Sequence, residues 1–280
     1  MDIKKLHLKI NRLVDSLFVG NYKTAFKGRG IEFADYRVYD EGDDARFIDF
    51  LASFKEQKLL IKRFEEQREL SVYFLIDIGT SMQFGYKDTK KIDTLIETFY
   101  TISLAGIKSN DMIGRLLFND NSLKFIKPKK GIKHILNIIS KIKNNNLKKI
   151  DNFDINDSLK YFNNLPIKNS LVFLLTDKVD NFLDKNLKIL GIKNDVVYIN
   201  IFDYFENNLD DNYGIVRLKS IFKTFFINLN DTKKVLEYRK LRELKIKNFQ
   251  KKLKSFNLSY LMIDDSMKIL SKLLYFFKTR

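Results

Sequence analysis

From residue 71 onward, short apolar runs alternate with segments whose apolar residues recur every three or four positions. This alternation predicts a mostly parallel sheet with helices on both faces, an α/β arrangement of the Rossmann-like type. The first run, residues 71–76, is apolar throughout and predicts a central strand buried on both sides. Further runs predict strands at residues 112–118, 170–176 and 196–202, and an antiparallel edge strand at residues 122–126 before Pro128.

The segments between these runs predict amphipathic helices. Over residues 88–109, Ile92, Leu95 and Phe99 mark an apolar face, whereas Lys91 and Glu97 fall on the predicted polar face. Similar spacing predicts helices at residues 132–142, 155–162 and 182–190. After Asp203 the pattern predicts a hairpin of residues 214–219 and 224–228, a basic helix at 231–256, a strand at 258–263 and a closing helix with an apolar stripe from Met267 to Phe277.

The first seventy residues have a different pattern. Leu6, Ile10, Leu13 and Leu17 have helical spacing, and residues 28–49 mix acidic, arginine and aromatic residues without a clear period. A strand is predicted at residues 58–64, where the chain enters the sheet. We therefore divide the chain into an extension, residues 1–69, and a main α/β domain, residues 70–280.

Composition narrows the class of protein. Hydrophobic residues form 45% of the chain, enough for a core, and the lack of cysteine excludes disulfides and thiolate chemistry. Residues 1–9 lack the apolar stretch of a signal peptide, and no apolar run reaches the roughly 18 residues of a membrane span. We therefore expect a cytoplasmic protein.

The net charge of +16 suggests polyanion binding, with the basic helix at residues 233–254 as the candidate surface. However, lysines are spread along the whole chain beside abundant Asn, Ile and Phe, which indicates a general compositional bias. Nucleic-acid binding is therefore kept only as an alternative.

The loop that follows the first central strand reads Asp77-Ile78-Gly79-Thr80-Ser81-Met82. Ligands of open α/β sheets bind beyond the carboxyl ends of the strands, where Asp177 also follows a predicted strand. Carboxylate and hydroxyl oxygens suit a hard cation such as Mg²⁺, so Asp77, Ser81 and Asp177 are the candidate ligands, with Thr80 and Thr176 as replacements. The alternative is that both aspartates only cap their own turns.

A phosphatase with Asp77 as nucleophile is less favoured, because an acid/base two residues later would be needed and position 79 is glycine. The remaining signals for enzymes are weak. Gly28 and Gly30 form only a fragment of a nucleotide loop, and His7 and His134 lie in predicted helices without a partner at useful spacing. We therefore expect no catalytic activity.

The acidic and arginine residues of positions 28–49 have two interpretations. Carboxylates beside Arg37 and Arg46 can form charge-assisted bonds that lock a loop, and Gly42 permits a turn with positive φ. The segment is then an internal network, a partner-binding face, or both.

These residues resemble a known bacterial family, the "domain of unknown function 58" proteins, which look like von Willebrand factor type A domains. The run KGRGIEFADYRVYDEGDDARFIDF is similar to the family signature, "LIDIGTSMQFG" to its Asp-x-Ser-x-Ser-Met loop, and "NDMIGRLLF" to its Gly-Asp-x-Val-Gly-Leu strand. The matching signature positions are Arg29, Glu32, Tyr36, Arg37, Gly42, Asp43, Asp44, Arg46 and Asp49. Three positions depart from the pattern: Phe50 replaces a tryptophan, Gly79 replaces the first serine of the metal loop, and Phe153 stands near the place of a distant threonine.

The resemblance implies a degenerate metal-ion-dependent adhesion site at Asp77, Ser81 and Asp177, and no catalytic residue. Family members are typically encoded beside MoxR-type AAA+ ATPases. The resemblance therefore implies an adaptor that acts with such an ATPase in chaperone-like assembly or activation of client proteins.

Overall fold

The structure of the protein is a computed structural model. It describes these ranges: 10–11, 14, 16–26, 30–67, 70–86, 89–119, 122–144, 155–179, 184–209, 214–219, 224–264 and 269–280. Elements are numbered in chain order within those ranges. The helices are α1 Ser16–Ala25, α2 Phe50–Glu56, α3 Lys91–Lys108, α4 Ile132–Asn144, α5 Ile155–Asn164, α6 Asp184–Lys193, α7 Tyr204–Asn208, α8 Thr232–Ser255 and α9 Ile269–Thr279. The strands are β1 Gly30–Val38, β2 Leu60–Gln67, β3 Ser71–Asp77, β4 Met112–Asn119, β5 Ser122–Lys129, β6 Leu171–Thr176, β7 Asp195–Phe202, β8 Ile215–Lys219, β9 Thr224–Asn228 and β10 Ser259–Asp264.

The main sheet has the strand order β10-β7-β6-β3-β4-β5. All neighbouring pairs are parallel except β4 and β5, which are antiparallel. Counted in chain order within this sheet, the order from the β5 edge is 3-2-1-4-5-6, the order of doubly wound α/β folds. The predicted fold class, a mostly parallel sheet with helices on both faces, is confirmed.

The two faces of the sheet carry separate apolar cores. One core includes Phe74 and Phe173 on the sheet, with residues of α1, α3, α4 and α9 over them. The other includes Leu174 and Tyr198, with α5, α6 and α8 over them. Because both faces are covered, β6 is buried along its whole length, as a central parallel strand requires.

Several local predictions need correction. Residues 30–38 form β1, a strand that the mixed pattern did not predict, and β1 pairs with β2 in a separate two-stranded ribbon. Strand β5 runs past Pro128 to Lys129, which an edge strand permits because its outward N–H groups need no partner in the sheet. The prediction that Lys91 faces solvent is wrong, since the residue is buried.

Strand β4 carries a buried arginine. Arg115 has no exposed surface, and none of its three guanidinium nitrogens has a hydrogen-bond partner in the part of the chain that the structure describes. Burial lowers the pKa of Arg115 to about 10.

None of the helices within the described ranges is both long and apolar enough to cross a membrane.

Candidate functional site at the sheet edge

The two predicted aspartates meet at the carboxyl edge of the sheet. Strands β3 and β6 are parallel neighbours, and Ile76 pairs with Leu175, so Asp77 lies level with Thr176 and Asp177 follows directly. In the doubly wound order, this pair of strands is the switch point from which the connections run to opposite sides. The topology therefore produces a crevice where the loops after β3 and β6 lie side by side.

Asp77 is buried beneath the loop of residues 78–83. Its Oδ1 accepts a hydrogen bond from Gly79 N–H at 2.9 Å, and its Oδ2 accepts one from the Thr176 hydroxyl at 2.7 Å. Burial, followed by the nearby charge of Asp177, raises the pKa of Asp77 to about 6. Both carboxylate oxygens thus have protein donors.

Ser81 links the two loops. Its hydroxyl donates to Asp177 Oδ1 at 3.0 Å, and the Lys178 ammonium donates to Ser81 Oγ at 3.2 Å. Asp77, Ser81 and Asp177, the three predicted ligands, are therefore in one cluster. Thr176, named as a replacement ligand, instead bonds Asp77 directly.

The most buried cation of the cluster is Lys91, the first residue of α3. Its Nζ donates to Asp177 Oδ2 at 2.7 Å and to Glu206 Oε1 at 2.9 Å, and its side chain is only 3% exposed. Burial opposes the charged ammonium, but the two carboxylates outweigh it and raise the pKa of Lys91. Burial likewise disfavours the Asp177 carboxylate, yet Lys91 and Lys178 hold the pKa of Asp177 below its ordinary value.

The residues that follow β7 also contribute to the site. Asp203 caps α7 by accepting from Phe205 N–H at 2.9 Å, and Glu206 reaches back toward the Asp203 backbone in a capping box. Asp203 also accepts from Tyr86 N–H at 2.9 Å, and the Tyr86 ring stacks on Phe205 at 3.7 Å. The capping box places Glu206 where it meets Lys91.

We tested whether these residues suit the divalent cation that the resemblance implies. Both Asp77 oxygens are engaged, Gly79 supplies no side-chain oxygen, and the Lys91 and Lys178 ammonium groups lie against Asp177 at 2.7 and 3.9 Å. In addition, no group of three or more Asp, Glu, His or Cys side chains with metal-site geometry occurs within the described ranges. The donor set, as arranged, does not fit a divalent cation.

The signature residues of the extension hold a compact charged loop. Arg37 donates to Asp43 at 2.5 Å, and Gly42 has φ of 107°, a left-handed turn that glycine tolerates. The Arg46 guanidinium donates three hydrogen bonds to the Asp44 carboxylate, two from Nε at 3.0 Å and one from Nη2 at 2.6 Å. The internal network among these residues is therefore present.

Asp49 connects this loop to helix α2. It caps α2 through Leu51 and Ala52 N–H, and its Oδ2 accepts from the Tyr36 hydroxyl at 3.0 Å and lies 3.1 Å from Lys62 Nζ. Its capping bond from Ala52, followed by Lys62 and Tyr36, lowers the pKa of Asp49 to about 2. Of the other signature positions, Arg29 lies outside the described residues and Glu32 lies in β1 without a described side chain.

Helix α2, which this network holds in place, exposes large apolar side chains. Phe50 is 74% exposed, Leu51 80% and Phe54 86%, and Phe50 and Phe54 share one face because they are four residues apart. Phe47 and Leu59, on either side of the helix, are also exposed. The charged signature thus supports an exposed apolar surface, which we call the α2 patch (Phe47, Phe50, Leu51, Phe54 and Leu59).

Sequence reasoning missed the α2 patch and three members of the sheet-edge cluster: Lys91, Lys178 and Glu206. Glu206 had a usable signal, since it stands three residues after Asp203 in the spacing of a capping box. Lys91 had none, because its partners are 86 and 115 residues away in the chain. The sequence pattern did not mark the α2 patch, because the exposure of its side chains depends on tertiary contacts. Phe153, the counterpart of the distant family threonine, lies outside the described residues.

Comparison with known proteins gives weak but consistent relationships. Uncharacterized proteins from Mycobacterium bovis and Mycobacterium tuberculosis are 22% identical over 132 residues, which are 47% of this chain. The aligned region spans 42% of the length of these relatives.

Two solved structures are similar at low identity. An aerotolerance-related membrane protein from Bacteroides fragilis is 12% identical, with a TM-score of 0.46 and coverage of 75% of this chain and 100% of that one. The SpRpn10 VWA domain is 15% identical, with a TM-score of 0.42 and coverage of 73% and 94%.

The family comparison is broader. Residues 35–240, which include the charged loop, the α2 patch and the sheet-edge cluster, match the family described as "Protein of unknown function DUF58". This match covers well over half of the chain and bears out the resemblance seen in the signature residues. The chain therefore belongs to the DUF58 family.

Proposed function

We propose that this protein is a non-catalytic adaptor of the cytoplasm that acts with a MoxR-type AAA+ ATPase in chaperone-like assembly or activation of client proteins. The observation that carries the proposal is the α2 patch, held in place by the family signature. Large apolar side chains that are clustered and exposed mark interaction surfaces in soluble proteins. Phenylalanine at position 50, where the family has tryptophan, keeps the aromatic character that protein interfaces favour.

The arrangement of the sheet-edge cluster supports a role without catalysis. The charged groups Asp77, Asp177 and Lys91 are saturated by one another and by hydroxyl and backbone donors. A nucleophile needs a neighbouring base within reach, and Gly79 stands where a phosphatase would carry its second acid. Such a cluster stiffens the edge of the sheet.

A direct binding measurement tests the proposal. The MoxR-type ATPase of the same organism is purified and its binding to the wild-type chain is measured by surface plasmon resonance. We expect binding that weakens at least tenfold in the Phe50→Ser/Phe54→Ser variant, because buried aromatic anchors contribute about 2 kcal/mol or more at interfaces.

Ile192→Ser is the matched control, since Ile192 is also 74% exposed on a helix but lies outside the α2 patch. It should bind like the wild type. Equal loss in both variants would indicate a non-specific apolar effect, and no binding of the ATPase by the wild-type chain would refute the proposed partner.

One observation favours a second function, the binding of a polyanion through α8. Lys240, Lys251 and Lys254 are exposed on this helix, and Leu241 and Leu244 are exposed beside them. Binding of a duplex DNA or RNA that weakens steeply with salt would support this function. Its absence at 50 mM salt would eliminate it.

A further inference from the structure

The side chain of Lys91 contacts one residue after β6 and one residue in α7, and both are distant from Lys91 in the sequence. Lys91 is the first residue of α3, and its backbone N–H donates a hydrogen bond to the Phe84 carbonyl at 2.8 Å. Its ammonium then reaches Asp177 after β6 and Glu206 in α7, and lies 5.6 Å from the centre of the Phe84 ring. Two carboxylates and an aromatic face therefore surround one buried charge.

The Lys91 ammonium occupies the space beside Asp177 that a divalent cation bound at the sheet edge would need. A divalent ion that used Asp177 and Ser81 would have to approach the Asp177 oxygens, yet Lys91 contacts Oδ2 at 2.7 Å and Lys178 lies 3.9 Å from Oδ1. The ion would also deprive the buried Lys91 ammonium of one of its two carboxylate partners and bring two cations together, which is costly in a site of low dielectric constant. The lysine and the divalent ion are thus mutually exclusive.

We propose that Lys91 is a built-in counter-cation that occupies the position of a divalent ion, so that the sheet-edge site of this chain is complete without metal. The lysine neutralises Asp177 and joins the ends of β6 and β7 through Glu206. The site consequently keeps one arrangement whether or not divalent cations are present. These properties of the site do not depend on whether the partner of the protein is an ATPase.

The first test uses the unmodified protein. Calorimetric titration of the full chain with Mg²⁺ or Mn²⁺ to 10 mM, and thermal unfolding in either ion against EDTA, should show no saturable heat and no shift of Tm beyond 1 °C. Saturable binding of either ion that Asp177→Asn abolishes would overturn the proposal.

The second test removes the lysine and restores the missing oxygen. In the double variant Lys91→Met/Gly79→Ser, the serine is tolerated because Gly79 has φ of −63°. We expect Mn²⁺ to raise the Tm of this variant by about 5 °C over EDTA, the shift for an ion at roughly 100 times its Kd. Lys90→Met/Gly79→Ser is the matched control, since Lys90 is exposed, and it should not respond.

The variant remains informative if it folds poorly. Recovery of its folded circular dichroism spectrum in Mn²⁺ but not in EDTA would support the proposal, because the ion would then replace the lost charge. A variant that folds in EDTA and shows no response to Mn²⁺ would refute the idea that Lys91 fills a cation position. If the variant is unfolded under both conditions, the titration of the wild-type chain decides.

Discussion

Replacing Asp77 by asparagine should stabilise the protein at neutral pH. The Asp77 carboxyl is 2% exposed, and burial with the charge of Asp177 raises its pKa to about 6 from an ordinary value of 3.8. That difference corresponds to about 3 kcal/mol of unfavourable ionisation in the folded state. An amide keeps an acceptor for Gly79 N–H but weakens the Thr176 hydrogen bond, a loss of about 1 kcal/mol, so the net gain is about 2 kcal/mol at pH 7.5.

The raised pKa of Asp77 also predicts how the free energy of unfolding changes with pH. The folded-state pKa lies above the unfolded one, so between about pH 4 and pH 6 the folded chain binds more protons and its stability falls as pH rises. Asp77→Asn removes this loss of stability. The difference in the free energy of unfolding between the variant and the wild type should therefore be largest above pH 6 and disappear toward pH 4. Urea unfolding followed by circular dichroism at 222 nm suits the measurement, because the chain has no tryptophan.

Asp177→Asn provides a control in which the expected change in stability has the opposite sign. Its lowered pKa means that the ionised Asp177 stabilises the folded state above its unfolded pKa, and this contribution is lost as pH falls through the folded value. The variant should therefore be less stable than the wild type at pH 7.5, with a gap that closes in acid. A less stable Asp77→Asn at pH 7.5, or an advantage that does not change with pH, would refute the reasoning.

Three further predictions concern stability measured by urea unfolding at pH 7.5. Lys91→Met should cost about 3–5 kcal/mol because it removes the ammonium that contacts the largely buried Asp177 carboxylate at 2.7 Å. Lys90→Met should change stability by less than about 0.5 kcal/mol, and equal effects of the two variants would contradict the geometry. Arg115→Met should stabilise by about 1–3 kcal/mol because it removes a buried guanidinium that has no hydrogen-bond partner among the described residues, and destabilisation would mean that the arginine has an anionic partner. Phe50→Ser and Phe54→Ser should each stay within about 0.5 kcal/mol of the wild type, and a larger loss would place these rings in a core.

The organisation of the main sheet was predictable because it depends on local patterns. Apolar runs such as residues 171–176 mark buried strands, and the spacing of Ile92, Leu95 and Phe99 marks α3. Even the meeting of Asp77 and Asp177 follows from a general rule, since parallel strands of a doubly wound sheet present their carboxyl ends at one edge. Asp77, Ser81 and Asp177 could therefore be named in advance as members of the candidate cluster.

Contacts that join distant segments could not be predicted. Lys91 has the periodicity of a polar helix face, and only the packing of α3 against the ends of β6 and β7 buries its ammonium. Strand β1 was missed because its alternation is obscured by charges that pair across the ribbon, as Asp35 does with Arg63. Whether the signature residues face inward or outward also depends on tertiary contacts.

The sequence alone determined the α/β class, most helix and strand identities from residue 71 onward and the cluster of acidic strand ends, because each depends on periodicity and on the geometry common to parallel sheets. Only the tertiary structure decided that a lysine neutralises that cluster and that the charged signature displays the α2 patch. The physical reason is that charge pairing and solvent exposure are set by neighbours in space, which for Lys91 are 86 and 115 residues away along the chain.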